Sequence, residues 1–389
     1  MIQQENSKTT SKDRYTFQRA LDRWIGSSLI FFIGLFHRKR PLPDRIDRIL
    51  ILKIDGLGDL ILLSAAVYDL RVAFPQARII LMCGPFNYPL ASLMACFDEV
   101  VTLRLPNPWP TLRTLRDLKP DICLDFGNWP RIEALIAFFS GARWTAGFNT
   151  PGQYRHYAHD HVMPLRFDQH EADNYKSLLL ALGVAPSHPP TLELNEKARQ
   201  EILIYRVNVV TPFAVCHLWS GSAKWGALKE WPYDRWREVV RLLNIRGLAV
   251  YFTGGKNERE QTDTLIASCD WPDKRTYNVA GLNFAAMLDL LRRATIVISI
   301  DTSIPHLAAA LGVPVLSLHG PSHSKRWGAI GPKAQAINST CPGCGYMNWG
   351  ADSDRKRASL PCMETISFEE VAPRIDSMLD RYAKSPYKI

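Results

Sequence analysis

At 389 residues, 47% hydrophobic and 22% charged, with no repeat and no long low-complexity tract, the chain is globular and too long for one ordinary core. Its formal charge of +9 and pI near 9.1 suit an anionic partner: nucleic acid, membrane phosphate or a nucleotide-bearing substrate. Eight cysteines over this length exclude a small disulfide-stapled scaffold, and Cys83, Cys96, Cys123, Cys216 and Cys269 read as core residues of a reducing compartment.

Residues 1–45 form a basic, apolar extension in which nine Lys and Arg face four acids. Within it Trp24 to Phe36 reads WIGSSLIFFIGLF and runs into His37-Arg38-Lys39-Arg40. A spanning helix needs about 20 apolar residues, so this run is short for one, and no small-residue cleavage site marks a signal peptide. Phe17, Leu21, Trp24 and Ser28 continue one helical stripe upstream. Two readings stay open: a helix in a membrane interface with its basic residues at the headgroups, or a helix packed on its own domain.

After Pro41 and Pro43, the strand Arg48–Ile54 runs into Asp55-Gly56-Leu57-Gly58-Asp59, and Leu60 to Phe74 has helical periodicity. Two glycines at a strand-to-helix turn let backbone approach a ligand. Ile61 stands where a dinucleotide fingerprint has its third glycine. Further strands are expected at 78–82, 99–103 and 121–125, the last ending in Phe126-Gly127-Asn128 before a helix over 132–139. A helix over 174–182 ends at Gly183, and Pro186, Pro189 and Pro190 mark a linker.

The second half restarts with a strand over 213–218, entering Trp219-Ser220-Gly221-Ser222-Ala223-Lys224. Trp231-Pro232 opens a helix through Leu243 with proline at the first helical position. Next come a strand over 248–253, Gly254-Gly255, a helix over 258–268, a strand near 277–279 and a helix over 284–294. Residues 294–328 then spell strand, Asp301-Thr302-Ser303, a small-residue helix containing His306, and a second apolar strand. This is a βαβ unit whose polar residues sit at the strand's carboxyl end, where a helix N-terminus suits phosphate. A helix over 367–382 closes the chain. Two Rossmann-like halves would put a cleft between two sets of strand ends, the GT-B arrangement of glycosyltransferases, with boundaries expected at 46–190 and 191–366 and a separate C-terminal segment, 367–389.

Four blocks, in order over Arg48 to Met378, resemble glycosyltransferase family 9, the ADP-heptose:lipopolysaccharide heptosyltransferases. They are ILILKIDGLGD; HLWSGS with Lys229-Glu230-Trp231-Pro232; Gly254-Gly255 with Glu258; and DTSIPHLAAALGVPVLSLHGPS with Arg326-Trp327-Gly328. The resemblance implies inverting transfer of a heptose or similar sugar from a nucleotide diphosphate, without metal or other cofactor, to a lipopolysaccharide-core or other lipid-linked glycan. It puts the catalytic base at Asp59, where a carboxylate can take the acceptor hydroxyl's proton; the alternative is a helix cap. It puts Lys229 on the diphosphate, whose charge grows in the transition state. Lys224, Ser220, Gly221, Ser222, Thr302, Ser303 and the amides of the His306 helix would complete the cradle, and Asp301 would bind and cap. Glu258 or Glu260 would lie near the ribose, with Gly254 and Gly255 beside it. His306 either bonds the donor or packs under the loop. Asp55, Gly56, Gly58 and Asn128 fall on the acceptor side. The chain departs from the family's pattern at Asp55-Gly56, at Ser303 in place of glycine, and at an insertion around Gly226 and Ala227.

Asp352-Ser353-Asp354 spells a metal-binding DxD motif but follows no strand, so chance is the better reading. Cys341, Cys344 and Cys362 give three thiols where closed zinc sites want four ligands; zinc with a further ligand, a disulfide and a structured loop stay open. No nucleic-acid motif appears. The expected setting is cytoplasmic, peripheral on the anionic inner face of the inner membrane. The rival functions are a non-catalytic GT-B nucleotide- or glycan-binding module, and a Rossmann oxidoreductase or sugar-nucleotide epimerase.

Overall fold

Ile49–Leu52 is apolar without alternation, and such a strand is stable only with both faces covered. In the computed structural model it lies inside β1 (Arg48–Leu52), and all four residues are buried. The structure describes residues 22–54, 56–104, 107–128, 131–221, 226–268, 275–340 and 362–382. Asp55, Ser222, Lys224, Cys269, Cys341, Cys344 and 352–354 lie outside them. The chain divides into two units, Met1–Asn195 and Glu196–Ile389.

The first unit carries β1, β2 (Arg78–Cys83), β3 (Glu99–Thr102), β4 (Ile122–Asp125), β5 (Trp144–Asn149) and β6 (His161–Pro164) in the order β3-β2-β1-β4-β5-β6. The second carries β7 (Phe213–His217), β8 (Ala249–Thr253), β9 (Thr276–Asn278), β10 (Ile296–Ile300), β11 (Val315–His319) and β12 (Ala334–Asn338), ordered β12-β11-β10-β7-β8-β9. All these pairings are parallel. Counted from its own first strand, each sheet runs 3-2-1-4-5-6, the doubly wound order that opens a crevice where the winding reverses. That point lies between β1 and β4 in one unit and between β7 and β10 in the other.

Helices cover the sheets because their apolar stripes match. In the second unit, buried Trp231 and Trp236 meet edge to face with centroids 5.4 Å apart, and the Trp231 indole N–H donates to Ile366 O at 2.9 Å. Val371, Ile375, Met378 and Leu379 of the last helix, Phe368–Tyr382, enter the same core. That helix thus packs in the core of the second unit.

Several expected boundaries move. The first long helix begins at Leu57, earlier than its apolar period suggests, because Gly56 turns the chain at φ +94°. Pro232 is the N-cap of the Tyr233–Ile245 helix rather than its first residue. Three strands have no period-2 signature. β6 and β12 are edge strands, where Pro164 and the polar residues of Ala334–Asn338 are tolerated. In β5 Gly147 is required, since an added Cβ would lie 2.4 Å from His159 Nε2.

The N-terminal helix, Ser27–Phe36, packs on the first unit. Ile30 is buried with Ala134, Leu135 and Ala158, and Gly34 lies against the Tyr157 ring. Just before it, Asp22 accepts from the Arg131 main-chain N–H at 2.8 Å and pairs with its guanidinium at 2.9 Å. The same helix leaves Phe31, Phe32, Leu35 and Phe36 on its outer side exposed, with Trp24 exposed just before it. No helix of the described residues is long and apolar enough to cross a membrane.

Candidate active site

In the first unit the β1 chain end carries Lys53, a lysine only 3% exposed. A buried ammonium needs compensation, and Lys53 Nζ lies 3.4 Å from Asp59 Oδ2 and 5.4 Å from the Tyr175 ring centroid. Burial alone would lower its pKa; the Asp59, Glu133 and Glu171 carboxylates outweigh burial and hold it above the ordinary lysine value. Asp59 lies in the first turn of the Leu57–Ala73 helix. It is not the N-cap; Gly56 is, and no side chain caps that end. An added Cβ on Gly56 would come 2.3 Å from Asp59 Oδ2, so the glycine makes room for the carboxylate. Gly58 lies in the same turn.

The adjacent end of β4 supplies the other wall of this crevice. Asn128 donates to Glu171 Oε1 at 2.7 Å, which ties it to the Glu171–Leu179 helix. Glu133 accepts from the Ile54 N–H at 2.9 Å and crowds Gly127, where an added Cβ would sit 1.6 Å from its oxygen. Fully buried Arg155 pairs with Asp125 and lies 3.8 Å from Glu133; His159 is 3.2 Å from Asp125. Burial, then the Asp125 charge, pushes Glu133 up to about 7.

In the second unit Lys229 Nζ reaches Asp301 Oδ2 at 2.7 Å and its main-chain O at 3.4 Å. The Ser322 hydroxyl donates to the same carboxylate, and His319 Nδ1 stands 3.8 Å from the other oxygen. Burial alone would raise the Asp301 pKa, but Lys229, with His319 and Ser322, holds it far below the carboxylate range. Asp301 is thus the partner of Lys229. The cap expected of it is made by Thr302, whose hydroxyl accepts from the Ile304 N–H at 3.3 Å. Ser303 opens the helix Ser303–Ala310, and His306 is buried within it.

Ser220 and Gly221 (φ +63°) follow the adjacent strand β7. At the end of β8, Glu258 accepts from the Gly255 N–H at 2.6 Å, and an added Cβ on Gly254 would meet Glu258 and Trp219 at 2.9 Å. Glu258 therefore sits at the glycine turn, whereas Glu260 is exposed in the next helix. Burial pushes His217, at the end of β7, down to about 4, a neutral imidazole beside Thr253.

Described candidates from distant sequence blocks thus lie at strand ends at or next to two winding reversals. The model of glycosyltransferase family 9 (heptosyltransferase) matches residues 112–345. The chain belongs to glycosyltransferase family 9. Lipopolysaccharide heptosyltransferase 1 of Pseudomonas aeruginosa is 24% identical over 359 residues, covering 85% of this chain and 98% of that protein. The structure of E. coli ADP-heptose LPS heptosyltransferase II matches with TM-score 0.70 at 19% identity, over 86% of this chain and 99% of that one. An E. coli heptosyltransferase solved with ADP matches at 0.64 and 18% identity, over 85% and 99%. The fold of this family 9 glycosyltransferase is the two-domain α/β GT-B type.

Sequence reasoning passed over Lys53, Asp125, Glu133, Arg155, His159, Glu171 and Tyr175. Lys53 left a trace, a charge inside the apolar run ILILKI. The partners did not, because the Glu133–Ile54 bond joins residues 79 apart. Cys362 is buried, and among the described residues no three His, Cys, Asp or Glu side chains group to hold a metal ion.

Glu133 makes a pH dependence testable. Unfolded, it ionises above its ordinary 4.5, whereas the folded protein keeps its proton up to about 7. Between those values the native state binds more protons, so this group's contribution to stability falls as pH rises. Glu133→Gln keeps an acceptor for the Ile54 N–H and removes the titration. Urea unfolding should show the variant gaining about 3 kcal/mol on wild type between about pH 4.5 and pH 8. A difference that stays constant across that range contradicts the assignment.

Proposed function

We propose that this family 9 enzyme transfers a heptose or closely similar sugar from an ADP-linked donor to a lipopolysaccharide-core or related lipid-linked glycan, with inversion. The observation that carries the reading is the pairing of Lys229 with Asp301 beside a phosphate-suited helix N-terminus. An ammonium has three N–H donors. Two face Asp301, and the third is assigned to a diphosphate oxygen. The Ser303 amide and the dipole of its helix add positive potential. Ser220 and Gly221 lie at the neighbouring strand end, and Glu258 beside the glycine turn is assigned to the ribose hydroxyls. ADP in the solved E. coli relative supports adenine as the donor base.

The step needs one base and one stabilised leaving group. Asp59 takes the acceptor hydroxyl proton as that oxygen bonds to the anomeric carbon. The bond from the anomeric carbon to the diphosphate oxygen breaks on the opposite face, and the released negative charge falls to Lys229. Asn128, Gly56 and Gly58 are assigned to the acceptor side. The reading asks for no metal, because Lys229 and the helix amides supply the positive charge.

We also infer that the enzyme works at the cytoplasmic surface of a membrane, where a lipid-linked acceptor lies. The outer side of the Ser27–Phe36 helix offers Phe31, Phe32, Leu35 and Phe36, the last 81% exposed, with Trp24 just before it and Arg38 and Lys39 beyond. Arg40 is committed inward to Asp160 at 2.8 Å, so the headgroup contacts fall to the other two.

Asp59→Asn should lower kcat by about 10²–10⁴-fold with donor KM nearly unchanged. Activity within a few-fold of wild type would remove the base. ADP should compete with the donor better than UDP or GDP, and treatment with a chelator should leave turnover unchanged; the reverse in either assay overturns that part.

Deleting the N-terminus would uncover the Ile30 contact surface, so the membrane test is surface substitution. Phe31→Ser, Phe32→Ser and Phe36→Ser together should abolish cosedimentation with phosphatidylglycerol vesicles while Tm holds. Undiminished binding contradicts the assignment.

A further inference from the structure

We propose that Lys53, backed by Glu133 and Glu171, is the positioning residue that fixes the orientation and charge of the Asp59 carboxylate. The inference rests on the reading of Asp59 as the base and adds to it a source of control. A carboxylate that takes a proton must be ionised when substrate arrives and must hold one orientation. Asp59 extends from the first helical turn beside Gly56, and no side chain caps that end. Lys53 Nζ meets its Oδ2 at 3.4 Å from a side chain 4% exposed, where the surroundings permit little rearrangement.

The charges facing this pair, among the described residues, come from three directions. Lys53 rises from the end of β1. Glu133 comes from the Arg131–Phe139 helix, pinned by the Ile54 N–H. Glu171 and Tyr175 come from the Glu171–Leu179 helix, where Glu171 is held by Asn128 and Asn174 and Tyr175 underlies the Lys53 ammonium. Behind Glu133 stand Asp125, Arg155 and His159. Lys53 therefore stands between Asp59 and two other carboxyl groups, of which Glu133 keeps its proton up to about 7. With the lysine removed, Asp59 would lose the cation beside it and face like charge. With Glu171 neutralised, the ammonium would act on Asp59 with less competition.

Opposite signs follow, and a role in packing alone would not produce them. In the full-length enzyme, the acid limb of the pH profile of kcat/KM should move up by at least one pH unit in Lys53→Met. In that variant kcat should fall at least tenfold, with donor KM within threefold. Lys53→Arg should restore the limb, and Glu171→Gln, which keeps the side chain's size and one of its two acceptors, should move it down. Wild-type limbs in both Lys53→Met and Glu171→Gln overturn the proposal. If Lys53→Met does not fold, Lys53→Arg and Glu171→Gln decide alone, and an unshifted Glu171→Gln limb counts against it. Should Asp59→Asn stay active, the base reading itself fails; should it be inactive while the limbs do not move, only the control by Lys53 fails.

Discussion

A charge buried at the end of a parallel strand must meet its opposite there, and that constraint organises both units. Lys53 meets Asp59, Asp125 meets Arg155, and Lys229 meets Asp301. Removing one partner of such a pair strands the other and costs about 3–5 kcal/mol. Well-packed apolar residues would serve stability as well or better. The cost is understandable where the winding reverses, because there the strand ends open toward a ligand.

The two reversals are built from the same strand order but filled differently. At β7 and β10 the Asp301 carboxylate is held far below its usual range by the cation that reaches it, beside a helix N-terminus. At β1 and β4 carboxylates outnumber cations, and one of them, Glu133, is pushed up to about 7. The first arrangement suits holding an anion. The second suits taking and placing a proton. A transferase that releases a diphosphate needs both.

Much of the fold was legible because buried parallel strands announce themselves as β-branched runs ending in polar turns. Ile296–Ile300 with Asp301-Thr302 is the clearest case. The edge strands β6 and β12 were not, since Pro164 and the polar residues of Ala334–Asn338 interrupt their apolar pattern. Candidate residues were legible where they sit in a turn, as Asp59, Gly254, Glu258 and Thr302 do. Assignments that depend on partners were not. Asp301 looked like a cap from its place before a helix, and only the approach of Lys229 and Ser322 shows how its oxygens are used. The N-terminal segment reads as two things in sequence, and the structure carries features of each: Ile30 is buried while Phe36 is open.

The account stands on the donor diphosphate binding at the β7–β10 reversal. Hydrogen–deuterium exchange of the full chain with and without saturating ADP tests this most directly. Protection gained over 217–221, 253–258 and 301–306 is the predicted result. Protection confined to 53–60 and 125–128, with those segments unchanged, would contradict it.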